Sequence, residues 1–271
     1  MNKSAELTIS LVVYQPTLEQ LYETLNSLVR SLQHAQVSYH LYIIDNTPVL
    51  EKSGVDQTFM SKLFSLGEYT YIRNKFNIGF GRAHNLTLGV NSKFHLVLNP
   101  DLIIDEEAIS KAIEFMNKNE NCGLISPYAI WSNGKIQRLC KNYPSVFILL
   151  LRGFAPHSIK KIFKSKLEEY EMVNEITNNA IYYNPPMVSG CFMFFKTNIW
   201  KKCRGFDENY FLYFEDFDLS IRIKKYCNIA YVPEIKIIHH GGFAARKGFK
   251  HIILFFKSMI IFFTKHHWRW F

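Results

Sequence analysis

Four short apolar runs near the N-terminus, alternating with helix-spaced stretches and polar loops, confine this chain to a βαβ layout. Leu7 to Val13 (LTISLVV, in a strand read from Glu6), His40 to Ile44, Tyr69 to Arg73 and Phe94 to Leu98 have strand length and composition. Between the first two, Leu18, Leu21, Tyr22, Leu25, Leu28, Val29 and Leu32 follow the helical period, opened by Thr17 with Gln20 three residues on as a capping box. After the fourth, Asp105 caps a helix whose apolar face is Ala108, Ile109, Ala112, Ile113 and Met116. Strands spaced by helices imply a largely parallel sheet.

Ligands of such sheets bind beyond the carboxyl ends of the strands. Three of these ends are polar: Asp45-Asn46, the loop Asn77 to Gly81 after the third run, and Asn99-Pro100-Asp101. The second half is less regular. Val188 to Phe195 reads as a strand, Thr197 to Cys203 as a short helix and Phe217 to Tyr226 as a helix. Ile229 to Val232 and Ile235 to Ile238 are two short strands ending in His239-His240-Gly241-Gly242. The basic, aromatic segment Tyr143 to Glu171 does not fit the sheet.

With 271 residues and 48% hydrophobic content, the chain suffices for one large α/β domain with an appendage. Five scattered cysteines without a C-x-x-C argue against a disulfide framework or zinc site and fit a reducing compartment. The polar start, Met1 to Leu7, is read as carrying no secretory leader. The first strand is followed by Tyr14-Gln15-Pro16-Thr17, not by a phosphate-binding glycine turn, which disfavours dinucleotide oxidoreductases. P-loop and G-x-S-x-G motifs are lacking as well. A net charge of +9 suits an anionic partner. No RNA-recognition or zinc-finger motif accompanies it, so nucleic acid is not the expected partner.

Phe211 to Leu219 (FLYFEDFDL) sets Glu215, Asp216 and Asp218 among aromatic side chains. Two readings stand. A carboxylate against apolar rings has a raised pKa and suits a general base. Acidic residues also favour the first turn of a helix.

In order, Asp45, Asn77-x-Gly79-Phe80-Gly81 with Asn85, Leu98-Asn99-Pro100-Asp101, Ser189-Gly190, Gly205-Phe206-Asp207, Glu215-Asp216-x-Asp218-Leu219 and His239-x-Gly241-Gly242 resemble a known family. It is that of the inverting family 2 glycosyltransferases, in the rhamnosyltransferase-like branch that builds bacterial O-antigen and other surface polysaccharides. The resemblance covers roughly Leu7 to Gly242 and implies an α/β fold of the GT-A type, a mixed, mainly parallel sheet flanked by helices. It implies that Asp45, Asn77, Gly79, Asn99 and Asp101 bind a nucleotide-sugar donor. Asp216 is implied as the base that deprotonates the acceptor hydroxyl, with Glu215 orienting the acceptor and Asp218 capping the helix. Asn99-Pro100-Asp101 stands where the family carries Asp-x-Asp, so Asp101, with His239, is the implied ligand of Mg²⁺ or Mn²⁺. Asp207, His240 and Arg246 are further candidates for the acceptor or the diphosphate, and the histidine doublet leaves open which ring faces the metal. For Asp45 a turn role competes with donor binding, for Asn85 a helix entry, and for Arg246 a solvated basic face.

The chain divides into a catalytic-type domain, 1–245, and a basic amphipathic helical tail, 246–271. In the tail, HIILFFKSMIIFFTKHHWRWF is broken by Lys257 and too short and charged to span a bilayer. It is read as an interfacial helix or as a helix packed on its own domain or on a second subunit. The resulting expectation is a metal-dependent glycosyltransferase, peripheral on the cytoplasmic face of the bacterial inner membrane. It would use a donor such as dTDP-L-rhamnose and a lipid-linked saccharide acceptor. Alternatives are another hexosyl- or galactofuranosyltransferase of the same fold, or a non-catalytic sugar-nucleotide or polysaccharide binding module.

Overall fold

The computed structural model describes residues 5–55, 59, 68–241 and 248–271. In chain order the first half contains β1 (Leu7–Val13), α1 (Leu18–Ala35), β2 (Tyr39–Asp45), β3 (Tyr69–Arg73), α2 (Phe80–Asn85), β4 (Phe94–Leu98), β5 (Leu102–Ile104), α3 (Ala108–Lys118) and β6 (Cys122–Ile130). Then come β7 (Ile136–Gln137), β8 (Cys140–Lys141), α4 (Val146–Phe154), α5 (His157–Ile162), α6 (Lys164–Tyr170), β9 (Tyr182–Tyr183) and β10 (Met187–Val188). β11 (Phe192–Lys196), α7 (Thr197–Lys202), α8 (Glu215–Ile223), β12 (Asn228–His239) and α9 (Phe249–His266) complete the described elements.

The main sheet runs β3-β2-β1-β4-β11-β6-β12-β5. β3, β2, β1 and β4 are mutually parallel, as are β6 and β12. β11 is antiparallel to both neighbours, β4 and β6, and β5 is antiparallel to β12 at the edge. The sheet is therefore mixed and mainly parallel, flanked by helices.

β1 is buried along its whole length because both faces are covered. Leu7, Ile9, Leu11 and Val13 join the core that Leu21, Leu25, Leu28 and Leu32 of α1 and Ala108, Ile109, Ala112 and Met116 of α3 complete. The opposite face carries Thr8 and Ser10, and these buried hydroxyls need partners. Two fully buried histidines supply them: Ser10 Oγ lies 2.7 Å from His84 Nδ1 and 3.2 Å from His95 Nε2, and Thr8 Oγ1 lies 2.9 Å from His95 Nδ1. Burial lowers His84 well below its ordinary value and His95 to about 3, so both rings stay neutral.

α1 departs from the plain amphipathic pattern. Leu18 and Tyr22 of the expected apolar face are exposed, while Thr24, Ser27 and Ser31 are buried. Edge strand β5 is the reason. Leu102 N–H donates to Thr24 Oγ1 at 3.0 Å, Ile104 N–H to Ser27 Oγ at 3.0 Å, and Ile109 N–H to Ser31 Oγ at 3.1 Å. Two of these hydroxyls thus cover amides that the β5 edge would otherwise leave open, and the third covers a first-turn amide of α3. Thr17 stands at the helix N-cap, but its side chain makes no capping bond.

Three further expectations are revised, and the segment that does not fit the sheet takes its place outside it. Val188 to Phe195 is not one strand: β10 and β11 are separated by Ser189-Gly190-Cys191. The two runs between Ile229 and Ile238 form the single strand β12, whose register on β6 shifts between Val232 and Lys236; Pro233 lies there and has no N–H for the ladder. α8 starts at Glu215, ahead of the expected Phe217. Tyr143 to Glu171 becomes α4, α5 and α6, with Ser145 Oγ capping α4 by accepting from Ile148 N–H at 3.1 Å. These helices share a core with Tyr210, Phe214 and the tail residues Met259, Phe262 and Phe263.

Ser27→Ala replaces a residue by a better helix former, and propensity alone predicts a gain of a few tenths of a kcal/mol. Because it orphans the Ile104 amide, the expected result is instead a loss of about 1–3 kcal/mol in urea unfolding. A more stable variant would refute the edge-capping role.

Candidate active site

Three loops at the carboxyl ends of β2, β3 and β4 meet the start of β11 and the entry to α8. The β2 end is held from within. Asp45 is buried, and its carboxylate accepts from Thr47 N–H at 2.8 Å, Tyr71 O–H at 2.8 Å and Ser53 O–H. Asn46 donates through Nδ2 to Gly79 O at 3.0 Å and accepts from Asn74 Nδ2 at 2.7 Å, tying β2 to the next loop. In that loop Asn77 Oδ1 accepts from Gly79 N–H at 2.9 Å. Gly79 has φ +93°, and a Cβ there would lie 2.6 Å from Phe211 O. Both facts demand glycine. The contact is used: Phe80 N–H donates to Phe211 O at 3.0 Å, docking the glycine loop on the segment that leads to Asp216. Asn85 tightens the same junction, accepting from Phe206 N–H and donating to Phe206 O, both at 2.9 Å.

The β4 end is built around Asp101. Asn99 N–H donates to Cys191 O at 2.9 Å, and Asn99 Oδ1 is buried with no hydrogen-bond partner among the described residues. Thr24 Oγ1 donates to Pro100 O at 2.9 Å. Asp101 Oδ1 lies 3.3 Å from His239 Nε2. The other ring nitrogen of His239 meets the Gln137 amide at 2.9 Å, and Trp131 stacks on the ring at a centroid distance of 6.1 Å. Burial disfavours protonation of His239, but neighbouring Cys191 and the Asp101 carboxylate outweigh it and raise the imidazole to about 10. His240 turns away, its Nδ1 2.7 Å from Ser132 Oγ and its Nε2 3.8 Å from Glu23. Its backbone N–H still donates to Asp101 O at 3.0 Å. A Cβ on Gly241 would lie 2.0 Å from Asp101 Oδ2, so a larger residue there would push this carboxylate from its place. Gly242 and Arg246 lie outside the described residues.

Asp216 sits across the start of β11 from this group. Its Oδ2 accepts from Gly190 N–H at 2.8 Å and its Oδ1 from Phe217 N–H at 2.9 Å. Gly190 immediately precedes Cys191, whose carbonyl holds Asn99. Burial pushes Asp216 up to about 6, although the two amides favour its ionised form. Glu215 is buried at 4% exposure, and its Oε2 has no hydrogen-bond partner among the described residues. Burial, then the Asp216 charge, raises it well above its ordinary value. Glu215 thus rests as a neutral acid beside a carboxylate poised near neutrality, an arrangement suited to proton transfer.

Asp207 and Asp218 face elsewhere. Asp218 is fully buried and binds Arg222 Nε at 2.7 Å, Lys265 Nζ at 2.6 Å and His266 Nε2 at 2.8 Å. Asp207 accepts from Asn209 N–H at 2.9 Å and pairs with Lys265 at 2.6 Å. Among the described residues, no three His, Cys, Asp or Glu side chains form a metal cluster. Asp101 and His239 are one adjacent pair of donors, with Asn99 Oδ1 on the same loop. Sequence reasoning missed Gln137 and Trp131, which orient His239, and Ser53 and Tyr71, which hold Asp45. They lie on separate elements and carry no periodic or motif signal.

No protein-family model matches the chain. Over 208 residues it is 24% identical to an N-acetylglucosaminyl-diphospho-decaprenol L-rhamnosyltransferase of Mycobacterium tuberculosis, covering 72% of this chain and 66% of that protein. Among solved structures, S. aureus TarS 1-349 superposes with a TM-score of 0.56 at 15% identity, covering 87% of this chain and 60% of that one. The same fragment in complex with UDP-GlcNAc gives 0.57 at 14% identity, over 90% and 61%. GalNAc-T7 with UDP, GalNAc and Mn²⁺ gives 0.63 at 12% identity, over 88% and 43%. The chain thus spans just under two thirds, or less, of the length of these proteins. The likeness establishes the fold: an α/β structure of the GT-A glycosyltransferase type.

A carboxyl group raised from 3.8 to about 6 favours the protonated form in the folded state, so its contribution to stability is lost as pH rises between these values. Asp216→Asn removes that cost. Relative to the parent, the variant's stability is expected to rise by about 1–3 kcal/mol between pH 3 and pH 7, on top of a pH-independent loss from the one backbone amide its carboxamide nitrogen cannot accept from, read by urea unfolding. An equal effect at both pH values would show that Asp216 does not titrate as described.

Proposed function

We propose that the chain is an inverting glycosyltransferase. It moves a sugar, L-rhamnose from dTDP-L-rhamnose, from a nucleotide-sugar donor to a lipid-linked oligosaccharide acceptor in O-antigen or surface polysaccharide assembly. The observation that carries this reading is the pairing of Asp216, raised to about 6, with the Asn99–Asp101 loop on the two sides of the β11 start. Support for the sugar and the acceptor is narrower. It comes from the printed name of the 24% identical relative, an N-acetylglucosaminyl-diphospho-decaprenol L-rhamnosyltransferase.

In the proposed reaction the acceptor hydroxyl proton passes to Asp216 while its oxygen bonds to the anomeric carbon. The bond from that carbon to the diphosphate oxygen breaks, the electron pair leaves with the nucleoside diphosphate, and the configuration inverts. A base near pKa 6 is largely ionised at neutral pH and still basic enough to assist the attack. Glu215, neutral and unpartnered at Oε2, is the orienting group on the acceptor side. Asp101 and, once its Nε2 proton is displaced, His239 would hold a divalent cation such as Mg²⁺ or Mn²⁺. Neutralising charge on the departing diphosphate is the chemistry such an ion supplies. On the donor side, Asn77 and Gly79 shape the loop beneath the nucleotide. Contact through Asp45 would exchange a bond from Ser53 or Tyr71 for one from the ligand. Asp207, His240 and Arg246 remain further candidates for the acceptor or the diphosphate.

We assign the protein to the cytoplasmic face of the bacterial inner membrane. Among the described residues no helix is long and apolar enough to cross a bilayer. The outward side of α9 nevertheless exposes Phe249, Ile253 and Ile260 beside Lys250 and Lys257, a composition suited to an anionic lipid surface.

Calorimetry with dTDP-L-rhamnose, UDP-galactose, UDP-glucose, UDP-GlcNAc and GDP-mannose, each with and without Mn²⁺, tests the reading. One donor should bind better with the metal, and Asp101→Ala should weaken that binding by about tenfold or more. Asp216→Asn should keep donor binding and lose transfer by about 10²–10⁴-fold. Binding of no donor defeats the proposal. Donor binding with transfer indifferent to Asp216→Asn turns it into a binding module.

A further inference from the structure

The segment that carries Asp216 is in contact with α9 along its whole length. Lys265 Nζ bonds Asp207 Oδ2 at 2.6 Å at the start of the segment. Ser258 Oγ donates to Leu212 O at 2.7 Å. Tyr213 O–H meets His251 Nδ1 at 2.8 Å. The Phe214 ring lies 5.2 Å from Phe255 and 5.3 Å from Phe262, centroid to centroid. Lys265 and His266 then close on Asp218, at 2.6 and 2.8 Å.

What these contacts hold is a disfavoured conformation. Tyr213 has φ +72° and Phe214 φ +66°, consecutive left-handed residues that lack glycine's freedom. Such geometry persists only where surrounding structure over-determines it. Here it reverses the chain just before Glu215, so that α8 opens with Asp216 on the Gly190 amide. Every contact named above falls on the reversal or on the acidic residues that flank it.

We propose that α9 is a positioning element of the active site. Through Ser258, His251, Lys265 and His266 it keeps residues 207–218 reversed and the Asp216 carboxylate on Gly190, and its release withdraws the base. The proposal rests on the reading of Asp216 as that base. Its structural half does not require turnover.

The test uses the full chain with Ser258→Ala and Lys265→Met. Lys265→Arg serves as the rescue and Lys118→Met, in an exposed pair with Glu114, as the control. The Gly190 amide resonance reports the Asp216 bond directly, and hydrogen exchange reports residues 211–217 against β1 and β4. In both variants the Gly190 resonance should move and exchange over 211–217 should rise tenfold or more, with β1 and β4 unchanged. Lys265→Arg should restore both readings, and Lys118→Met should move neither. With whichever donor the calorimetry identifies, kcat should fall while the donor KM holds. An unmoved Gly190 resonance in both variants overturns the proposal. So does protection lost evenly across the sheet, which would make α9 ordinary core. If no donor turns over, the resonance and exchange readings still decide the positioning role, while the glycosyltransferase reading fails separately.

Discussion

The antiparallel insertion of β11 between two parallel groups of strands is the constraint on which the site depends. A strand that ran parallel there would present its carboxyl end to the ligand side. β11 presents its amino end, and with it the backbone of Gly190 and Cys191. The Cys191 carbonyl takes the Asn99 amide and the Gly190 amide takes the Asp216 carboxylate. One short stretch of backbone thereby joins the loop nearest the candidate metal pair to the helix bearing the candidate base. These groups are more than a hundred residues apart in sequence. Gly190 also permits the approach, since a Cβ there would sit 3.2 Å from Asp216 Cβ.

Around that junction the chain covers polar groups with polar groups. The hydroxyl stripe of α1 covers the β5 edge, and two neutral histidines cover the hydroxyls of β1. Asn85 and Asn46 bond loop backbone at both ends of the glycine segment. Each bond protects a buried amide, hydroxyl or carbonyl whose exposure to an apolar interior would be costly. Among the described residues Asn99 Oδ1 and Glu215 Oε2, in the candidate site, are buried without hydrogen-bond partners, as are His84 Nε2, Ser126 Oγ, Trp200 Nε1 and the Tyr210 hydroxyl elsewhere.

Much of the parallel sheet was legible because its strands are bounded apolar runs and its helices keep their period. The polar strand ends were legible for the same reason, since Asp45, Asn99 and Asp101 interrupt apolar runs. α1 was legible as a helix but not in its facing. Thr24, Ser27 and Ser31 read as polar surface until the edge they cover is known. Tyr143 to Glu171 resisted reading because its apolar residues pack on the tail and on the Asp216 segment, not on the sheet. The start of α8 was misplaced because no local rule puts Tyr213 and Phe214 in the left-handed region. Tertiary contacts hold them there.

By itself the sequence determined the α/β class, the strand ends that line the ligand side and the order of the acidic, glycine and histidine motifs. These are local matters of periodicity, turn chemistry and residue type, which the chain carries wherever it goes. Only the tertiary structure decided that the ring of His239 and not that of His240 meets the Asp101 carboxylate, that Asp45 faces inward, and that Asp218 belongs to the tail contact. It also decided that Asp216 rests on Gly190. Each of these depends on which distant segment arrives beside the residue, and on how burial there shifts its charge, which no spacing along the chain encodes.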